Sequence, residues 1–385
     1  VQSRAEVSLG TIIREWGRIG CIGFGGPPTH IALLRRLCVD ERGWIPAAEF
    51  EDAIAATNLL PGPASTQLAI LCAWRLCGVT GALVGGLCFI VPGLVIILAL
   101  SALVLGPHPP HWILGAAAGA GAAVPAVALK AATGLAPSSW TRAGTSTPAR
   151  CRWVVYSLVG GFVAAAFGVY LVAALVLCGG VEVMIRLRQR PVIRGPAAAM
   201  LGVAHAGVVG GFAALALVAL KVGALSYGGG FVIVPLMQHD AVTTYHWMTG
   251  GQFLDAVALG QVTPGPVVQT VAVVGYAARG LGGGLLAALI AFAPSFLFVL
   301  FGAPHFRQVR TNRAVRAFLT GAGPAAIGAI AGSAVSLGLV LQDLWQIPVL
   351  GGAVVWMFAA RRGVVSALVL AAVVGVIVSW ASVPV

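Results

Sequence analysis

The sequence predicts an all-α polytopic membrane protein, an inverted repeat of two homologous halves with about ten transmembrane helices and two re-entrant Pro-Gly-Pro hairpins. Three observations lead there. Of 385 residues, 59% are hydrophobic and only 9% charged, with a mean hydropathy of +0.97. The chain aligns with itself when shifted by 203 positions, Gly25 falling on Gly228. Basic residues sit on opposite members of the matched loops. A soluble chain carries roughly 25% charged residues to cover its surface, so soluble enzymes and nucleic-acid-binding domains are excluded. The net charge of +12 comes almost wholly from Arg clustered between apolar runs. That distribution signals topology and no nucleic-acid partner.

The shift superimposes Gly25-Gly26 on Gly228-Gly229, Phe24 on Tyr227, Trp44 on Trp247, Phe50 on Phe253, Asp52 on Asp255, and Pro61-Gly62-Pro63 on Pro264-Gly265-Pro266. Residues 1–190 therefore read as the first repeat, 191–198 as a basic cytoplasmic linker and 199–385 as the second repeat. Apolar segments lie near 8–34, 47–77, 79–105, 112–134, 153–168 and 169–186, and again near 199–237, 249–279, 281–303, 317–340, 346–360 and 363–383. A span needs about 20 apolar residues, so 153–168 and 346–360 require help from their flanks. The stretch 199–237 is too long for one straight span.

Lys and Arg are retained on the cytoplasmic side, so matched loops can be compared for orientation. The 307–316 loop carries Arg307, Arg310, Arg313 and Arg316, whereas its counterpart 106–111 has neither Lys nor Arg. Arg142, Arg150 and Arg152 face a partner loop, 342–345, with none, and Arg35, Arg36 and Arg42 match Gln238, His239 and Tyr245. Equivalent loops thus lie on opposite sides, and each half crosses an odd number of times. One of the six segments must re-enter. Pro61 and Pro63 lack N–H donors and break their segment into half-helices of about 12 residues, too short to span. Five spans plus one hairpin per half put both termini outside and the linker inside, with Arg75 and Arg279 on opposite faces. No cleavable signal is expected, and a chain starting at Val1 is expected to be trimmed there.

Re-entrant backbone is tolerated only inside protein or against a wet cavity, so the tips mark the working centre. After each tip a helix N-terminus offers free N–H groups and a positive dipole end to an anion. The first tip presents Ser65, Thr66 and Gln67, and the second Gln269 and Thr270. The alternative is a Pro-Gly-Pro that merely kinks two packed helices. A second constellation, Phe24-Gly25-Gly26 and its match Tyr227-Gly228-Gly229-Gly230, allows unusual φ values and close backbone approach. Tyr227 can donate to a substrate; Phe24 cannot. Arg18 and Lys221 precede the two breaks and are candidate anion ligands, or else snorkel. Lys130 reads as snorkelling. Asp52 and Asp255 are candidates for coupling or gating, or interfacial charges. His30 and His205 stand without acidic companions, and no metal site or cofactor is expected. The seven cysteines read as packing residues.

No H-E-x-x-H, G-x-S-x-G, P-loop or dinucleotide fingerprint occurs, so no enzyme is expected, and no loop is long enough for a nucleotide-binding domain. FGGPPTHI from Phe24, NLLPGPASTQLAI from Asn58, SYGGGFVIVPLMQ from Ser226 and GQVTPGPV from Gly260 resemble the chromate ion transporter family over essentially the whole chain. The resemblance implies a two-domain secondary transporter, multi-pass in the bacterial inner membrane, that exports chromate and confers resistance. It also implies sulfate as a second substrate or inhibitor. The family signature falls on Gly25, Gly26, Pro61, Gly62, Pro63, Gly228, Gly229, Pro264, Gly265 and Pro266. A sulfate or other oxyanion carrier, a passive channel with paired half-helices and, less well supported, a lipid-phosphate enzyme are the other readings; a homodimer is left open.

Overall fold

Ser8 caps the first helix by accepting from the Thr11 amide, and Ile12, Trp16 and Ile19 recur at helical spacing on its buried face. This helix, α1 (Leu9–Ile22), ends at Gly23. The computed structural model describes residues 7–58, 62–187, 211–226, 231–302 and 311–381. After the glycine break come α2 (Pro27–Arg35), whose prolines occupy its first turn where no N–H is needed, and a π-helical turn. Then follow α3 (Ala47–Thr57), α4 (Ala64–Val104), α5 (His111–Ala143), α6 (Thr147–Phe167) and α7 (Leu171–Leu187).

The same order returns in the second half as α8 (Gly211–Leu225), α9 (Ile233–Gln238), α10 (Gly250–Val262), α11 (Thr270–Gly302), α12 (Arg313–Gly338), α13 (Gln346–Val354) and α14 (Val364–Trp380). Helices α4 and α11 kink at matching places, Cys77-Gly78 and Arg279-Gly280. The chain is an all-α polytopic membrane protein. Among the described residues, α4, α5, α11 with its preceding turn, and α12 are long and apolar enough to cross a membrane by themselves.

The segment expected to form the first hairpin contains α3, 11 residues long, and the 64–76 part of α4 before its kink. At 1.5 Å per residue α3 is only about 16 Å long. The segments near 8–34 and 199–237 are broken helices, α1–α2 and α8–α9, which explains the excess length of the latter; residues 199–210 lie outside the described residues. Two boundaries differ from expectation. The 112–134 segment continues to Ala143 because Thr133, Ser138, Thr141 and Arg142 bond carbonyls three or four residues back, so polar residues prolong the helix. The 153–168 run starts at Thr147 and reaches about 32 Å.

Glycines set the packing. Gly20 of α1 abuts the Cys88 carbonyl of α4, and at the matching position Gly223 of α8 abuts the Ala291 carbonyl of α11. Gly115 and Gly119 of α5 meet Gly375 of α14, while Gly160 of α6 meets the Ala325 backbone of α12 and Gly161 of α6 meets Gly328 and Gly332 of α12. A Cβ at any of these would strike backbone, so the absence of side chains lets the helices close without a hydrophobic drive from water. Each half's α5-type helix thus packs on the last spans of the other half, and α4 packs on α11 at the centre. Among the charges, Glu182 is buried at the Arg-rich end of α7, taking Arg152 at 2.9 Å, Arg186 at 2.6 Å and the Tyr156 hydroxyl at 3.2 Å.

Candidate functional site

Proline on both sides and a glycine at φ +118° (Gly62) or +107° (Gly265) shape each tip; a β-carbon there would be strained. The Gly62 N–H donates to the Ser226 carbonyl at 2.8 Å, and the Gly265 N–H donates to the Gly23 carbonyl at 3.0 Å. A shift of 203 carries one bond onto the other. Each tip is therefore pinned to the glycine break of the opposite half. The reciprocity extends to the long helices: Gly62 lies beside Ser295 of α11, and the Pro264 carbonyl lies against Gly93 of α4.

The predicted polar residues of both tips are buried. Ser65, Thr66, Gln67, Gln269 and Thr270 are each at most 1% exposed. Helix α4 starts after Pro63 with no side-chain cap, leaving its first-turn amides to face the centre without intrahelical acceptors. The second tip enters α11 through a 3₁₀ turn, Val267–Gln269. Thr66 Oγ1, Ser226 Oγ, Ser295 Oγ, Gln269 Oε1 and Gln261 Nε2 are buried and make no hydrogen bond among the described residues. Each such group costs about 1–3 kcal/mol when buried without a partner. Gln269 Nε2 donates to the Ile90 carbonyl at 2.8 Å, and Thr270 Oγ1 donates to the Val267 carbonyl at 2.8 Å. Ser226 opens the second glycine motif read from the sequence, whereas Ser295 was not singled out; the matched Pro92/Pro294 position next to Ser295 was the available signal.

His30, which the sequence left without acidic companions, has two polar partners. It is fully buried, with Nε2 2.8 Å from the Gly23 carbonyl and Nδ1 3.3 Å from Ser65 Oγ. A carbonyl can only accept, so Nε2 carries the proton and neutral Nδ1 accepts from the Ser65 hydroxyl. The same Gly23 carbonyl accepts from Gly265. A continuous relay, Ser65–His30–Gly23–Gly265, therefore joins the two tips. In the second half the corresponding positions are Ile233 and Val268, so the relay exists once.

The charged candidates are held by partners of their own. Arg18 lies 3.8 Å from Glu15, and Lys221 lies 3.2 Å from Asp240. Arg42 also reaches the buried Glu15, at 3.1 Å. Asp52 is exposed on α3, whereas Asp255 is half-buried on α10 with its carboxylate against Gly121 of α5. Lys130 is half-buried, its ammonium donating to the Met357 carbonyl at 3.0 Å and lying over the Phe358 ring. Phe24 is exposed, and Gly25 and Gly26 have φ of +97° and +75°. Pro63, Pro264 and Pro266 are buried beside the tip glycines. Pro61, Tyr227, Gly228, Gly229, Gly230 and His205 lie outside the described residues. Among the described residues no group of three His, Cys, Asp or Glu side chains gathers to hold a metal.

A family profile described as chromate transporter matches residues 10–183 and 213–378. The chain is 32% identical to a chromate transport protein of Cupriavidus metallidurans, over 88% of this chain and 84% of that one. It is 29% identical to a probable chromate transport protein of Synechococcus elongatus, over 96% and 95%. A chromate transport protein of Pseudomonas aeruginosa is 30% identical, over 85% and 80%. No solved structure matches the chain.

Proposed function

Because the chain belongs to the chromate transporter family, we propose that it carries chromate, a tetrahedral dianion, out of the bacterial cytoplasm as a secondary transporter, and so confers resistance. The observation that carries this reading is the buried pair of tips, where two helix starts and the hydroxyls of Thr66, Ser226 and Ser295 lie with no Lys or Arg bonded to those hydroxyls among the described residues. Such a site binds an oxyanion through N–H and O–H donors, and the helix dipoles favour its charge. The absence of a permanent countercharge keeps binding weak enough for release. Arg18 and Lys221, neutralised by Glu15 and Asp240, steer the anion rather than coordinate it.

The two halves face opposite ways in the inner membrane, and the site at the tips opens alternately to each side. Export of a dianion from a cell negative inside is favoured by about 4.6 kcal/mol at 100 mV, from 2.3 kcal/mol per charge. Membrane potential then suffices as a driving force. Asp255, half-buried with its carboxylate against Gly121, is the better placed of the two acids to add proton coupling. Hydroxyl and amide donors fit sulfate equally well, so sulfate is the second substrate to test.

The experiment is uptake by everted vesicles, whose lumen corresponds to the cell exterior. Protein-dependent chromate accumulation, competed by sulfate and enhanced by an inside-positive potential, is expected. Accumulation of neither anion would reject the reading, and an electrical conductance far above carrier turnover would replace it with a channel.

A further inference from the structure

The repeat makes the two hairpins equivalent in sequence, but they are packed differently. Helix α10 lies along α5 and reaches α14, Asp255 resting on Gly121 and Gly250 on Val340. Helix α3 has no comparable contact with α12 among the described residues; it packs on α4. Between α3, α5 and α12 there is instead a cavity of about 400 Å³, lined by Asn58, Ser138, Arg142, Gly323 and Ile327 among others. Asn58 and Gln261 are the same position in the repeat. Asn58 is exposed at this cavity, whereas Gln261 is 7% exposed and its amide nitrogen has no partner. One hairpin stands open and its twin is shut.

The open side can be assigned. Arg142 ends α5 in the same connection as Arg150 and Arg152, and α12 begins at Arg313 and Arg316. On α5 the cavity reaches the Arg142 end, and on α12 it is lined from Gly323 to Ile330, midway along the helix. We take the Arg-bearing ends as the cytoplasmic ones, so the cavity opens from that side toward the middle of α12. Its volume admits a tetrahedral oxyanion with several waters, at about 30 Å³ per water. Its floor is Asn58, at the root of the first Pro-Gly-Pro tip.

We propose that this cavity is a cytoplasmic vestibule in which Arg142, Ser138 and Asn58 collect the oxyanion and pass it to the first tip, the chain being in its cytoplasm-open state. The proposal rests on the oxyanion reading above. Arg142 is exposed, its guanidinium folded back on the Ser138 carbonyl at 3.1 Å, so it can turn to an arriving anion without breaking an ion pair. Its charge raises local anion concentration and capture rate more than final affinity.

The test combines labelling with flux in a cysteine-free variant. Ser138→Cys and Ile327→Cys should react with a membrane-impermeant maleimide in everted vesicles, while Gln261→Cys should stay unreactive from the outer face of intact cells. Arg142→Gln should raise the KM for chromate on the cytoplasmic side roughly three- to tenfold, weaken its dependence on ionic strength and preserve kcat; Arg142→Lys should restore it. Unreactive Ser138→Cys and Ile327→Cys, a Gln261→Cys more reactive than both, or an unchanged KM in Arg142→Gln would each overturn the proposal. If the unmodified protein moved no oxyanion, the functional reading and the vestibule's role would both fall, while labelling would still decide which side is open.

Discussion

The amide of Gly265 and the carbonyl of Gly23 meet at 3.0 Å, joining the tip of the second hairpin to the glycine break of the first half. Its twin, Gly62 to Ser226 at 2.8 Å, does the converse. Neither tip can move without the opposite half, so a change at one break is felt at the other half's tip. Such reciprocity would give the proposed alternating exposure a mechanical basis.

Gly62→Ala and Gly265→Ala should each be severely damaging. Both glycines have positive φ, and a methyl would press on Gln67 or Gln269, respectively. The left-handed backbone alone costs about 1–2 kcal/mol. Thermal melting of the purified variants in detergent should show a lower midpoint, and vesicle uptake should be abolished.

His30→Ala leaves the Ser65 hydroxyl and one lone pair of Gly23 unsatisfied in a buried place. A loss of about 1–3 kcal/mol in stability is expected. Flux should fall by at least tenfold, because the relay between the tips is cut. His30→Gln, which can still donate to Gly23, should recover part of it. Ile233→Ala, at the matching position, should leave the relay intact and act only through packing.

The two repeat-related acids should behave differently. Asp255→Asn should remove any pH dependence of flux, whereas Asp52→Asn, at an exposed position, should retain it. Uptake measured at a series of pH values with the potential clamped checks this. A pH dependence retained in Asp255→Asn would exclude Asp255 as the coupling group.

Glu182→Ala should destabilise the α6–α7 pair without touching the tips. It would leave Arg152 and Arg186 near one another with no carboxylate between them. Removing one member of a buried ion cluster costs about 3–5 kcal/mol, here reduced by the partial exposure of both arginines. A lower melting temperature with unchanged KM in the surviving protein is expected.

Much of this was legible in the sequence, for physical reasons. The repeat exposes itself through Gly and Pro, whose backbone demands are local: Pro61-Gly62-Pro63 must turn wherever it stands, and Gly78 and Gly280 kink their helices alike. The helix starts after the tips, with Ser65, Thr66 and Gln269, followed from the same rule. What was not legible depends on partners remote in the chain. Nothing near His30 announces that Ser65 will meet it, and nothing near Lys221 announces Asp240. The exchange of tips between halves has no local signature, since an internal match of Gly62 to Gly23 would give the same sequence. The extension of α5 was hidden by Thr133, Ser138 and Thr141, which look like a loop until their hydroxyls turn back to the helix.

The central claim is that the unpaired groups at the tips serve the transported oxyanion. Thr66→Val combined with Ser295→Ala tests it most directly, because neither hydroxyl has a partner to lose, and removing such a group is neutral or stabilising for the fold. The account predicts unchanged or raised thermal stability together with a fall of at least about tenfold in kcat/KM for chromate in everted vesicles, equivalent to about 1.4 kcal/mol. Uptake at the level of the unmodified protein, in a variant that folds and inserts normally, would contradict it.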